Sequence, residues 1–141
     1  MHSSQTSRWQ VLDDRAYDER HQWILTSDTL YTVGVTDYTQ DTAGEILYVS
    51  LPGPGDTLVA GQPFGSIESG KWVGQLYAPA AGTVIAANDR LKEQPELLNR
   101  DPYGAGWLIK FVADAPDFVR DLHDAQTYRS QLQQLDEDHH G

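Results

Sequence analysis

The sequence predicts an all-β core followed by a helical C-terminal segment, and three observations carry that expectation. From Trp23 to Val112 the chain divides into about eight short runs rich in β-branched and aromatic residues, bounded by Gly, Pro, Asn and Asp. Within the runs apolar residues alternate, as Trp107, Ile109 and Phe111 do against Leu108, Lys110 and Val112. Past Val112 the period changes. Phe118, Leu122, Ala125, Tyr128, Leu132 and Leu135 recur at roughly helical spacing.

Taken in order, residues 1–16 are polar and mixed in charge and read as a loose N-terminal arm that packs locally through Trp9, Val11 and Leu12. Trp23 to Thr26 and Leu30 to Val35 form a hairpin about Ser27-Asp28-Thr29. Thr36-Asp37 caps one short helix through Thr42, which Gly44 closes. Glu45 to Leu51 is a strand with Ile46, Tyr48 and Ser50 on one face and Leu47, Val49 and Leu51 on the other. Pro52 to Asp56 is a loop, and Thr57 to Ala60 a short strand. After Thr83 to Ala87, residues 88–100 carry short helical signals around Pro95. In the tail, Asp114 and Asp117 suit a helix start and Asp124 a second one, with Asp136-Glu137-Asp138 a solvated acidic end.

The most informative stretch lies between these elements. Phe64 to Glu68 enters a polar tip, Ser69-Gly70, and Trp72 to Tyr77 leaves it, so Lys71 stands at the turn of a hairpin. Glycine there supplies conformations with positive φ. Hairpin lysines are usually only solubilising charges. Here, though, the chain has three lysines in all (Lys71, Lys92, Lys110), and Glu68 stands three residues before this one, where a modifying enzyme can read it. Ala60-Gly61 and Ala81-Gly82 echo one another on either side, suggesting two similar β-units related by a pseudo-two-fold.

Composition excludes several classes. The 141 residues suit one domain with a real core. No cysteine is present, which removes disulfides and thiolate chemistry. A net charge of −11 argues against nucleic-acid binding. No apolar run has the length of a membrane span, and the N-terminus lacks a signal-peptide pattern, so a cytoplasmic monomer is expected. The five histidines are scattered, with no metal-ligand spacing and no Gly-x-Ser-x-Gly elbow nearby. His21 reads as structural, beside Trp23, and Tyr103 and Trp107 as core. The pattern is that of a scaffold for one exposed lysine rather than of an enzyme.

Several blocks together resemble the H protein of the glycine cleavage system, within the biotinyl/lipoyl domain group. They are Tyr17-x-x-x-His21-x-Trp23, Tyr31-Thr32-Val33-Gly34-Val35-Thr36, Val49-x-Leu51-Pro52, Glu68-Ser69-x-Lys71, Tyr77-Ala78-Pro79, Gly82-x-Val84, and the run from Pro95 to Trp107. The resemblance spans residues 17–135, leaving 1–16 as the arm and 136–141 as an acidic tail. It implies a mainly β barrel-sandwich hybrid with lipoate amide-linked to Lys71, a non-catalytic carrier, and a cleft into which the loaded arm can fold. It also implies partners: a lipoate ligase or lipoyl transfer enzymes for loading, and the enzymes of a multienzyme system for use. Glu68, Ser69, Gly70 and Trp72 would form the signal read at modification.

At Lys71 the sequence departs from the glycine-cleavage pattern, which has a β-branched residue before the lysine and a small one after it. Gly70 and Trp72 stand there instead. With the N-terminal arm, they resemble the lipoate-binding proteins of heterodisulfide-reductase-like sulfur oxidation, and an exposed Trp72 would be a docking aromatic. That pathway is the expectation, with glycine cleavage and its aminomethyl group as the alternative. Trp72 folding back over the hairpin is the competing orientation. An unmodified interaction module is a third reading, opposed by the intact Glu68-Ser69-x-Lys71. A biotin carrier would flank its lysine with methionines, and the only methionine is Met1.

Overall fold

The computed structural model describes residues 8–140; the first seven residues of the expected arm and the side chains of His139 and His140 lie outside the described residues. Nine strands form two antiparallel sheets, one of six strands in the order β1-β2-β3-β9-β8-β5 and one of three in the order β4-β6-β7. The strands are β1 (Ala16–Tyr17), β2 (Gln22–Ser27), β3 (Leu30–Val35), β4 (Ile46–Ser50), β5 (Thr57–Leu58), β6 (Pro63–Ser69), β7 (Val73–Tyr77), β8 (Gly82–Ala87) and β9 (Ile109–Ala113). With four helices, α1 (Asp37–Ala43), α2 (Arg90–Glu93), α3 (Leu97–Arg100) and α4 (Ala125–His140), they make the mainly β barrel-sandwich hybrid that the resemblance implied.

Apolar residues from alternate strand positions fill the interior. Ile24, Val33, Val84, Ile109 and Phe111 pack under the larger sheet, and Val35, Ile46, Ile67, Leu76 and Leu108 with Leu91 and Leu98 fill the space toward the smaller one. Leu51 and Phe64 touch both groups and make the core continuous. Helix α1 lies where its end signals predict, from Thr36 to Gly44 at φ 84°, a conformation that glycine adopts without a Cβ penalty. Thr36 does not cap it by its side chain, whose hydroxyl lies 2.8 Å from Tyr128 Oη instead.

Two further expectations are corrected. The alternation expected in β4 is broken by a bulge between Ile46 and Tyr48. Ile46 and Val49 turn inward, whereas Leu47 and Tyr48 both reach solvent, because a bulge adds one residue to one strand of a pair and shifts its facing. The echo around Lys71 takes the form of nested antiparallel pairing, β5 with β8 outside β6 with β7. Its glycines serve different needs: Gly61 has φ 78°, while a Cβ on Gly82 would lie 2.1 Å from the Val112 carbonyl oxygen. Second, the tail stripe does not lie on one surface, although the two segments signalled by Asp117 and Asp124 both form. A 3-10 segment, Pro116–Asp121, sends Phe118 onto Tyr31 and Phe111. The chain then pairs His123 with Tyr17 before α4 begins at Ala125, where the Asp124 carboxylate accepts the Thr127 N–H. Helix α4 continues through Asp136-Glu137-Asp138.

The arm is pinned from Trp9 onward. The Trp9 indole N–H donates to the Asp41 carboxylate at 2.8 Å, Tyr103 Oη donates to the Gln10 carbonyl at 2.6 Å, and Arg129 reaches the Val11 carbonyl at 3.0 Å. Among the described residues no helix is long and apolar enough to cross a membrane.

Candidate functional site

β6 and β7 pair from Pro63↔Tyr77 to Glu68↔Val73, and the Ser69 N–H donates to the Trp72 carbonyl at 2.8 Å. That bond closes a turn whose central residues are Gly70 and Lys71. The Ser69 side chain is buried beneath the turn, with its Oγ 3.4 Å from both the Lys71 N and the Trp72 O. Neither Gly70 nor Lys71 has a positive φ, so the tip does not use glycine's special freedom. Nothing lies within 4 Å of a Cβ built on Gly70. The expected reason for glycine there is thus corrected.

Lys71 is exposed and makes no ion pair among the described residues. Its aliphatic stem lies over Gly44, with Cε 3.2 Å and Nζ 3.7 Å from where a Cβ on that glycine would be. A shallow cavity of about 350 Å³ around it includes Ala43, Glu45 and Leu47. Glu68 is exposed in the middle strand of the small sheet, with no hydrogen bond or ion pair to its carboxylate among the described residues.

Trp72 turns back from the tip. A Cβ on Gly74 would overlap the indole at 2.0 Å, so the ring is seated where Gly74 leaves space, on the face that also carries the buried Ile67. It remains 43% exposed along one side. Of the two orientations expected for Trp72, the folded-back one describes it better. Its ring walls a cleft of about 390 Å³ between β7, α1 and the start of β2. Val35, Ala43, Ile67 and Leu76 supply apolar lining, and Ala43 borders both this cleft and the hollow at Lys71.

The polar rim of the cleft is what residue patterns alone did not find. Arg20, His21, Gln22 and Gln75 line it. The Arg20 guanidinium stacks on Tyr77 at 3.9 Å. Gln22 Nε2 donates to the Asp18 carboxylate and to the Tyr77 carbonyl, each at 2.8 Å. Burial raises the Asp18 carboxyl above its ordinary value, and donors from Gln22 and Arg20 oppose the shift. His21 is more than a structural neighbour of Trp23. It has φ 64°, its ring lies 4.3 Å from that of Tyr38, and its Nδ1 is 2.9 Å from Tyr128 Oη. Burial lowers its pKa from 6.5. The block Tyr17-x-x-x-His21-x-Trp23 was the only sequence signal pointing here. Among the described residues no cluster of His, Asp and Glu has the grouping to hold a metal ion.

Two antiparallel sheets presenting a lysine at a hairpin tip, without an ion pair among the described residues and beside an apolar cleft, have the form that a carrier domain with a covalent arm requires. The glycine cleavage H-protein family model matches residues 15–135. A probable glycine cleavage system H protein of Haloarcula marismortui is 43% identical over 123 residues, 87% of this chain and 97% of that protein. The glycine cleavage system H protein of Bacteroides thetaiotaomicron is 43% identical over 114 residues, covering 81% and 90%. The crystal structure of the H protein from Mycobacterium marinum superposes with a TM-score of 0.78 at 35% identity, covering 86% of this chain and 98% of that one. The chain belongs to the glycine cleavage H-protein family. Members are non-catalytic components that carry lipoate on a lysine. These relatives favour glycine cleavage, the alternative of the sequence reading, over the sulfur-oxidation pathway, for which they offer no support.

Proposed function

We propose that lipoate is attached to Lys71 and that the loaded arm serves glycine cleavage. The observation that carries this reading is the lysine itself: exposed, without an ion pair among the described residues, at the tip of a tightly closed hairpin in a chain of this family. The surroundings fit the group. Gly44 leaves room for the lysine stem, and the neighbouring cleft offers Val35, Ile67, Leu76 and the Trp72 face to an apolar chain and ring. When bound, lipoate supplies a disulfide that can open to accept a transferred fragment and close again on oxidation. The protein supplies position. A tethered group visits successive active sites at high effective concentration, without new contacts.

Glu68 is the residue of the expected modification signal that lies open to a loading enzyme, whether a lipoate ligase or a lipoyl transfer enzyme. Ser69 shapes the turn from beneath, Gly70 keeps the approach clear, and Trp72 serves the cleft.

One observation favours the second pathway. Among the described residues Arg20 is the only side chain of fixed charge lining the cleft, and no carboxylate lines it. A cationic amine cargo finds no counter-ion there, whereas the neutral or anionic sulfur cargo of a heterodisulfide-reductase-like system would be accommodated.

Incubating the protein with lipoate, ATP and a lipoate ligase should add one lipoyl group, on Lys71. Lys71→Arg should abolish the addition without loss of fold, since arginine keeps the charge and cannot form the amide. Modification at Lys92 or Lys110 would overturn the assignment. The loaded protein should then accept the one-carbon fragment from a glycine decarboxylase; failure there, with loading intact, transfers the reading to sulfur carriage.

A further inference from the structure

The bulge in β4 has a consequence at the solvent face of the small sheet. Tyr48 lies opposite Glu68, and Glu68 opposite Val73, so the three side chains form one row across β4, β6 and β7. All three are exposed, Tyr48 at 67% and Val73 at 63%, and the bulged Leu47 adds apolar surface at 44%. These apolar groups are contiguous rather than scattered, and they surround a carboxylate that has no partner among the described residues, the apolar-and-polar mix of an interaction surface. The row lies at the base of the turn that holds Lys71.

We infer that the row Tyr48–Glu68–Val73 is the docking surface for the enzyme that acylates Lys71. The inference rests on the reading of Lys71 as the lipoyl site. Reach selects this occupant. Acylation joins Nζ to the carbonyl carbon of an activated lipoyl group, with loss of the leaving group and of one N–H proton. The attacking nitrogen stands only one side chain from the hairpin, so the loading enzyme must come down onto the ground beside it. Enzymes that act on the far end of the loaded arm meet their target a full lipoyl chain further out and need not touch this row. Charge points the same way. Glu68 at the centre and Glu45 beside Lys71, on a chain of net charge −11, ask for a basic surface around an apolar notch. Trp72, on the cleft side of the same hairpin, lies outside this surface.

The test uses the full chain, free lipoate, ATP and a purified lipoate ligase, with initial loading rates followed by mass. Tyr48→Thr with Val73→Thr places a strand-favouring β-branched residue at both positions. The pair should raise KM on the order of tenfold with kcat little changed, as expected when docking rather than chemistry is lost. Glu68→Gln, which preserves shape, should raise KM on its own and guards against a folding defect in the double variant. Ile85→Ser, an exposed apolar residue on the other sheet, should change nothing. Loaded to completion, the double variant should be reduced by a lipoamide dehydrogenase with NADH at the wild-type rate. The docking surface is overturned if the double variant loads with unchanged KM, if Ile85→Ser reproduces the defect, or if reduction falls as much as loading. No loading of the unmutated chain at Lys71 removes the carrier reading itself, which is a separate outcome.

Discussion

His21 holds the left-handed region at φ 64°, which residues other than glycine rarely adopt and which costs on the order of 1 kcal/mol or more unless the surroundings fix it. Here they do. Its carbonyl accepts the Thr36 N–H at 3.1 Å and the Thr39 hydroxyl at 3.1 Å, while Nδ1 meets Tyr128 Oη. The ring is thereby fixed at the mouth of the cleft, and burial favours its neutral form. Because burial depresses its pKa below 6.5, the folded chain binds fewer protons here than the unfolded one as the pH falls. The stability that His21 contributes is therefore complete above that value and is lost as the pH drops toward the folded pKa. His21→Asn, which tolerates the same backbone region, should flatten the dependence of the urea midpoint on pH as the pH falls below about 6.5. A slope equal to wild type would place the titration elsewhere.

At the scale of the element, α4 decides whether the arm and the cleft wall stay together. Tyr128 stacks on Tyr17 at 4.5 Å and joins Thr36 and His21 through its hydroxyl, while Leu132 is 1% exposed among Trp9, Tyr17 and their neighbours. Leu132→Ala removes a buried side chain where rings cannot easily collapse, so a loss of about 2–5 kcal/mol is expected. Urea unfolding checks it; a loss under about 1 kcal/mol would mean that α4 is peripheral. This helix also shows why the tail was half legible. Ala125, Tyr128, Leu132 and Leu135 kept the helical period because one surface receives them all. Phe118 and Leu122 kept the same spacing by accident, since they pack under the larger sheet. Periodicity reports that a residue is buried, not which neighbour buries it. The β4 bulge escaped notice for a related reason: an inserted residue leaves the composition of a strand unchanged and alters only its register.

Over the whole molecule, the lysine hairpin was legible because a turn is local chemistry, and the cleft was not because it is assembled from β2, α1 and β7 at distant sequence positions. Trp72 marks the boundary between the two. Its place in the sequence, next to Lys71, suggests a docking aromatic; its place in space is set by Gly74, which has no Cβ to keep the indole away. If the ring is the lid of the arm's cleft, two different substitutions should have one effect. Trp72→Ala removes the ring, and Gly74→Ala displaces it by filling the space beneath it. Neither should slow loading of Lys71, since neither touches the Tyr48–Glu68–Val73 row. Both should leave the lipoyl disulfide of the loaded protein more open to solvent, and its reduction by a small water-soluble phosphine should accelerate severalfold relative to wild type. Acceleration in Trp72→Ala alone would mean that the ring finds another seat over the cleft when Gly74 is filled. Equal rates in all three proteins would show that the arm does not shelter behind Trp72, and the cleft would lose its role.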